Sequence, residues 1–226
     1  MPSGKAAMNT PPVETSRPEP RWPAALAIAS VGLLNMILPE PLSAGPFWLL
    51  MAVVVVLLVP LVLTHYMGHH GLNQKLAYVM LGAVTLFLVY SVVQLVLAMT
   101  AHRETPAQLL LAAAVLWASN VLVFASWYWR LDGGGPHARH VRPGHTHGAF
   151  LFPQMTMDEA ERRHAGFGNW RPGFVDYLFL AFNTSTAFSP TDVPVLSRWA
   201  KVMMMIQSVI SLATIALLAA RAVNIL

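Results

Sequence analysis

The sequence predicts an all-α, polytopic transmembrane protein of about five hydrophobic helices plus one short re-entrant helix, and three observations predict it. Of the 226 residues, 56% are hydrophobic and only 11% charged, whereas a soluble domain carries about 25% charged residues. The apolar residues fall in long blocks, and block length decides whether a helix crosses a hydrocarbon core. The remaining charge and proline collect between and outside those blocks. This pattern excludes an ordinary water-soluble enzyme core and a disordered chain. The absence of cysteine excludes a disulfide framework, a thiolate nucleophile and a Cys-ligated metal. With 14 basic and 10 acidic residues and no run of five Lys or Arg, no nucleic-acid partner is expected.

Residues 1–21 (MPSGKAAMNTPPVETSRPEPR) are rich in Pro, Ser, Thr and charge, and read as a disordered tail rather than a signal peptide, because a polar stretch precedes the first apolar block. Residues 22–106 then read as N-terminal transmembrane helices. The block Trp22 to Leu38 ends at Pro39-Glu40-Pro41, and at about 1.5 Å per residue it either barely spans or lies half-inserted. Phe47 to Tyr66 is uncharged, starts on aromatics suited to the interface and spans; Pro60 within it removes a backbone donor and kinks it. Leu76 to Thr100 follows as the next span.

Ala107 to Trp129 is a further span. Its Ala112-Ala113-Ala114 run allows close helix approach, and Trp127-Tyr128-Trp129 marks an interface. Arg130 then leaves the membrane. The linker Leu131 to Pro172 holds five of the nine histidines, and Gly133-Gly134-Gly135-Pro136 and Arg142-Pro143-Gly144 forbid a long helix in it. Phe174 to about Ala187 is apolar but too short to span, and a proline-broken polar stretch, Ser189 to Pro194, follows it. Arg198 to Val223 supplies the last span. A short apolar helix, a polar loop and a spanning helix make the pattern of a re-entrant segment, permitted only where irregular backbone is sheltered by protein or lines water.

From Asp176 through Thr184-Ser185-Thr186, Asp192, Pro194 and Arg198 to Leu226, the sequence resembles the pore module of two-transmembrane potassium channels: pore helix, filter, Pro-containing turn, basic residue, inner helix. The likeness implies that 107–226 is a channel-like module, with outer helix 107–129, polar linker 130–173, re-entrant helix and loop 174–197 and inner helix 198–226. It also implies filter-like roles for Thr184, Ser185, Thr186, Ala187, Phe188, Ser189, Pro190, Thr191 and Asp192. The Gly-Tyr-Gly of a potassium filter is missing in every register. Successive inward-pointing carbonyls need glycines that tolerate positive φ, and Pro190 has its φ fixed near −65°. Potassium selectivity of the usual kind is therefore not expected. The chain as a whole also resembles an uncharacterised family of bacterial integral membrane proteins. The residues that carry this likeness are Leu131-Asp132-Gly133-Gly134-Gly135-Pro136, Trp170-Arg171-Pro172-Gly173 and Thr186-Ala187-Phe188-Ser189-Pro190-Thr191-Asp192, among others. That likeness implies a multi-pass protein of the bacterial inner membrane and no particular activity.

On the last helix Gln207, Ser211, Thr214, Arg221 and Asn224 share one face at spacings of four, three, seven and three. Such a face either lines a cavity or supplies hydrogen bonds between helices, with Arg221 snorkelling from the helix end. Asp192 either attracts cations at a mouth or holds the turn Pro190 to Pro194. The linker histidines His137, His140, His145 and His147 suit zinc, copper or nickel chemically, but Arg139 and Arg142 oppose a cation and a solvated loop is the simpler reading. No Ser/His/Asp set, H-E-x-x-H, phosphate loop or carboxylate pair appears, so neither catalysis nor a cofactor is expected.

Membrane orientation is contested by two rules. Lys and Arg number three before the first block, none between the first two, one in each of the next two loops and six from Arg130 to Arg171. If every block spans, the positive-inside rule puts the N-terminus and linker together in the cytoplasm, whereas potassium-channel geometry puts the linker outside. Either Trp22 to Leu38 does not cross, or the pore-like module is inverted. The leading functional expectation is a channel-like protein with an altered filter, passing monovalent cations and tetrameric if it conducts, with the lipid bilayer as its other partner. The alternative is a non-conducting scaffold or sensor that keeps the fold and presents the linker; a metal-responsive protein is the third.

Overall fold

A computed structural model of the chain describes residues 19–101, 105–141, 148–168, 170–186 and 192–223, the side chains of 99–101 and 221–223 excepted. The described residues form α1 (Trp22–Asn35), α2 (Leu49–Tyr66), α3 (His70–Ala101), α4 (Pro106–Leu131), α5 (Pro136–Val141), α6 (Pro153–Thr156), α7 (Glu159–His164), α8 (Phe174–Thr186) and α9 (Arg198–Val223). Extended pairing among the described residues amounts to one isolated antiparallel bridge, Phe150 to Val195. The fold is all-α and polytopic.

Among the described residues, four helices are long and apolar enough to cross a membrane, over Leu49–Tyr66, His70–Ala98, Pro106–Gly134 and Arg198–Ala220. The expected fifth hydrophobic helix is shorter than its apolar block. α1 stops at Asn35, so its 14 residues rise about 21 Å against a core of about 30 Å. Past it, Met36 to Leu38 are held by backbone bonds to Leu33, Leu34 and Asn35, and Ser43 Oγ donates to Asn35 Oδ1 at 3.4 Å.

α4 is the core helix. Burial within the protein takes 67% of its span but only 17% of α2's, and α1, α3, α8 and α9 all pack on it. Its start is set by a capping box: Thr105 Oγ1 accepts from the Gln108 N–H, and the Gln108 side chain accepts from the Thr105 N–H. Its end is set by glycine. Gly133, Gly134 and Gly135 all have positive φ, and a Cβ on Gly135 would lie 2.9 Å from the Arg130 carbonyl oxygen, so the turn into α5 needs the missing side chain. The outward faces are apolar: Val56 and Leu63 on α2, Leu86 and Val93 on α3, and Val202, Met205, Val209 and Leu212 on α9 are all exposed. Contiguous apolar surface of this kind belongs against lipid rather than water.

The chain's path follows from its contacts. Glu19, just before α1, forms an ion pair with Arg139 of α5 at 3.0 Å, so the start of α1 and the linker share one end of the bundle. The α2–α3 turn is at that end too, because Arg130 reaches Asn73. Leu151 N–H donates to Pro194 O and Leu196 N–H to Ala149 O, which places the start of α9 at the linker end as well.

Candidate functional site

The polar face foreseen on α9 becomes the centre of a buried hydrogen-bonded cluster between α4, α8 and α9. Gln207 is 0% exposed, and its whole side-chain amide is used. Nε2 donates to the Ala181 carbonyl and to Ser185 Oγ, each at 2.7 Å; Oε1 accepts from the Tyr128 hydroxyl at 2.5 Å. Asn120 Nδ2 donates to the Gln207 carbonyl at 3.2 Å. Ser211 Oγ donates to the Ser185 carbonyl at 2.5 Å, and Trp117 Nε1 reaches the same oxygen at 3.4 Å.

The physical need for this cluster lies in α8. The last carbonyls of any helix lack intrahelical donors, and α8 ends inside the bundle, where water does not serve them. Trp117 lies 14 residues before the end of α4, about 21 Å of helical rise from the linker end, so α8 delivers the Ser185 carbonyl deep into the protein. Ser211 and Trp117 satisfy it there. Thr184 Oγ1 donates to Leu180 O at 2.8 Å and Thr186 Oγ1 to Asn183 O at 3.0 Å, so both hydroxyls serve α8's own backbone. Thr214 Oγ1 likewise turns back to Ile210 O and Ser211 O.

Other foreseen residues divide differently. Asp192 is exposed. Ala187, Phe188, Ser189, Pro190 and Thr191, the Arg221 side chain, and Asn224 lie outside the described residues, as do His145 and His147. His137 stacks on His70 with ring centroids 3.7 Å apart, and His140 is half-buried with its carbonyl accepting from Arg171. Partial desolvation lowers the His137 pKa, and the charges of His70, Arg21 and His140 lower it further. No three of His, Asp and Glu converge among the described residues.

A second polar cluster, at the linker end, was not foreseen. Arg139 is buried, its Nη1 donating to the Trp129 and Asp132 carbonyls at 2.7 Å each and its Nη2 to Glu19 Oε2, with the guanidinium 5.2 Å from the Tyr177 ring centroid. Asp132 is fully buried; it accepts from the Ala149 N–H at 2.5 Å and from the Tyr177 hydroxyl at 2.6 Å, joining α4, the linker and α8. Arg130, expected to leave the membrane into water, is only 5% exposed, and its Nη2 donates to the carbonyl and Oδ1 of Asn73. Burial pushes the pKa of Arg21, beside it, below the usual guanidinium range; Glu19 opposes that shift and Arg139 adds to it.

No family model, no curated protein and no solved structure matches this chain, so the comparisons neither support nor oppose the likeness to a potassium-channel pore module.

Proposed function

We propose that this chain is a non-conducting, multi-pass membrane scaffold that keeps a pore-like helix arrangement and displays its linker at one membrane face. One observation carries the reading: Gln207, at the centre of the α9 polar face, is fully buried with every side-chain polar atom bonded within its own chain. A conducting module would turn such groups toward an axis shared between subunits. Here the surface α9 offers outward carries Val202, Met205, Val209 and Leu212, which suit lipid. α8, at 13 residues or about 20 Å, is a re-entrant helix in this reading, held by the hydrogen-bonded cluster rather than aimed at an ion.

The linker end faces the cytoplasm. Arg21, Lys75, Arg130, Arg139, Arg162, Arg163, Arg171, Arg198 and Lys201 all belong to that end, while the segment between α1 and α2 carries no Lys or Arg. The positive-inside rule then makes the pore-like module inverted relative to a potassium channel, entering from the cytoplasmic side. In a bacterium the bilayer is the inner membrane. Because the chain has no cysteine, Ala165→Cys places a single thiol after α7; in intact cells it is expected to react with a membrane-permeant maleimide and not with an impermeant one. Equal labelling by both reagents reverses the orientation.

Conduction is tested directly. Purified protein in liposomes is expected to pass K⁺, Na⁺ and H⁺ no faster than empty vesicles. A cation flux above that background, carried by oligomeric protein and abolished by a bulky residue at Ser211, overturns the scaffold reading in favour of a channel.

A further inference from the structure

A cavity of about 240 Å³ opens between α1, α2, α3 and α4 at the linker end. Its chemistry changes along its length. Arg21 before α1, His65 in the last turn of α2, Asn73 in the first turn of α3 and Arg130 in the last turn of α4 gather at one end. Seven residues further along three of these helices the lining is apolar: Ile28 on α1, Leu58 on α2 and Met80 on α3, about 10 Å deeper. Trp22 and Tyr66, exposed by 65% and 83%, line the rim, so the cavity opens sideways toward the lipid as well as toward the end of the bundle. Such aromatic side chains sit at the level of lipid headgroups.

The polar end continues into a smaller recess that shares Arg21, Asn73 and Arg130 and adds His70, Gln74 and His137. Three buried nitrogens in these two linings have no hydrogen-bond partner among the described residues: Arg130 Nε, His65 Nδ1 and His70 Nδ1. Arg130, itself 95% buried by its 5% exposure, bonds only to the neutral Asn73 among the described residues, and the charges of Arg21 and Arg139 that reach it have its own sign. The Glu19 carboxylate at this end of the bundle is already committed, since it accepts from Arg139 and from Trp129 Nε1. A buried guanidinium without an anion is costly, and the fork of an arginine matches phosphate oxygens.

We infer that this cavity binds an anionic phospholipid of the surrounding membrane, with its phosphate between Arg21 and Arg130 and the start of one acyl chain in the apolar slot lined by Ile28, Leu58 and Met80. The lipid supplies the charge that Arg130 lacks and fills apolar space that water would occupy unfavourably. A free phosphate would satisfy the arginines and leave that slot empty. This site uses none of the α4–α8–α9 cluster and does not depend on whether the protein conducts.

The test uses the full chain, delipidated in a non-ionic detergent, with tryptophan fluorescence read as lipid is added; Trp22 and Trp129 line the cavity. Phosphatidylglycerol is expected to bind about tenfold or more tightly than phosphatidylcholine of the same chains. Arg130→Gln removes that preference, and so does Arg21→Gln, at a half-exposed position outside the helices, which keeps the test decisive if the first variant fails to fold. Ala25→Trp, filling the slot from its rim, weakens phosphatidylglycerol by about tenfold with both arginines intact. Equal affinity for the two lipids overturns the inference. Full competition by inorganic phosphate, with Ala25→Trp binding phosphatidylglycerol as tightly as wild type, overturns it in favour of a free-anion site.

Discussion

Leucine in place of Gln207 is expected to lower the thermal unfolding midpoint in detergent by about 4–8 °C, the shift that roughly 2 kcal/mol makes in a chain of this size. Two estimates reach that figure. Hydrogen bonds between membrane helices average about 0.6 kcal/mol, and the Gln207 side chain makes three. Alternatively, the substitution orphans the Tyr128 hydroxyl, which is fully buried, and one unsatisfied buried donor costs about 1–3 kcal/mol. The second view makes a prediction the first does not: adding Tyr128→Phe to Gln207→Leu recovers part of the loss, because it removes the orphaned hydroxyl, while Ser185 Oγ still lacks the donor it had from Gln207. Differential scanning fluorimetry of wild type, both single variants and the double separates them. A Gln207→Leu protein as stable as wild type removes the cluster from its place as the anchor of α8.

What the sequence made legible follows from the range of each signal. The spans over α2, α3, α4 and α9 are read from uninterrupted apolar runs, and the shortness of α8 from the polar, proline-containing stretch after it, because both signals are local. α1 was harder, since its block stays apolar to Leu38 while the helix stops at Asn35, and hydropathy does not register where backbone bonds change pattern. The face of Gln207, Ser211 and Thr214 was visible from its spacing, though its two readings, cavity lining and helix adhesive, share one pattern. Their partners were not visible: Asn120 and Tyr128 lie 87 and 79 residues from Gln207, and a single Asn in an apolar run has no period to announce it. The linker misled in the opposite direction. Its charges suggest a solvated loop, yet Asp132 and Arg139 are buried, because their partners come from α8 and from Glu19, 120 residues away.

Methionine in place of Arg139 is expected to cost more than any single change in the α4–α8–α9 cluster, about 3 kcal/mol or more. Its length and apolar stem are kept, so what is lost is the fork. The Trp129 carbonyl, in the last turn of α4, loses its side-chain donor, the Asp132 carbonyl keeps only the Gly135 N–H, and the Glu19 carboxylate loses its cation while still partly buried. Arg139→Lys keeps the charge, but an ammonium is a compact point donor and cannot match the planar fork that holds two carbonyls and a carboxylate at once, so it falls between wild type and methionine. Glu19→Gln falls nearer wild type, because Gln keeps an oxygen to accept from Arg139. That order, read as unfolding midpoints in one detergent, assigns most of the effect to the carbonyls that Arg139 serves, Trp129 above all. If Glu19→Gln instead costs as much as Arg139→Met, the ion pair carries the stability, and breaking it releases the N-terminal segment from the linker. The second result would make Glu19 a charge-sensitive clasp on the end of the bundle where the lipid cavity opens, since Arg21, two residues on, lines that cavity.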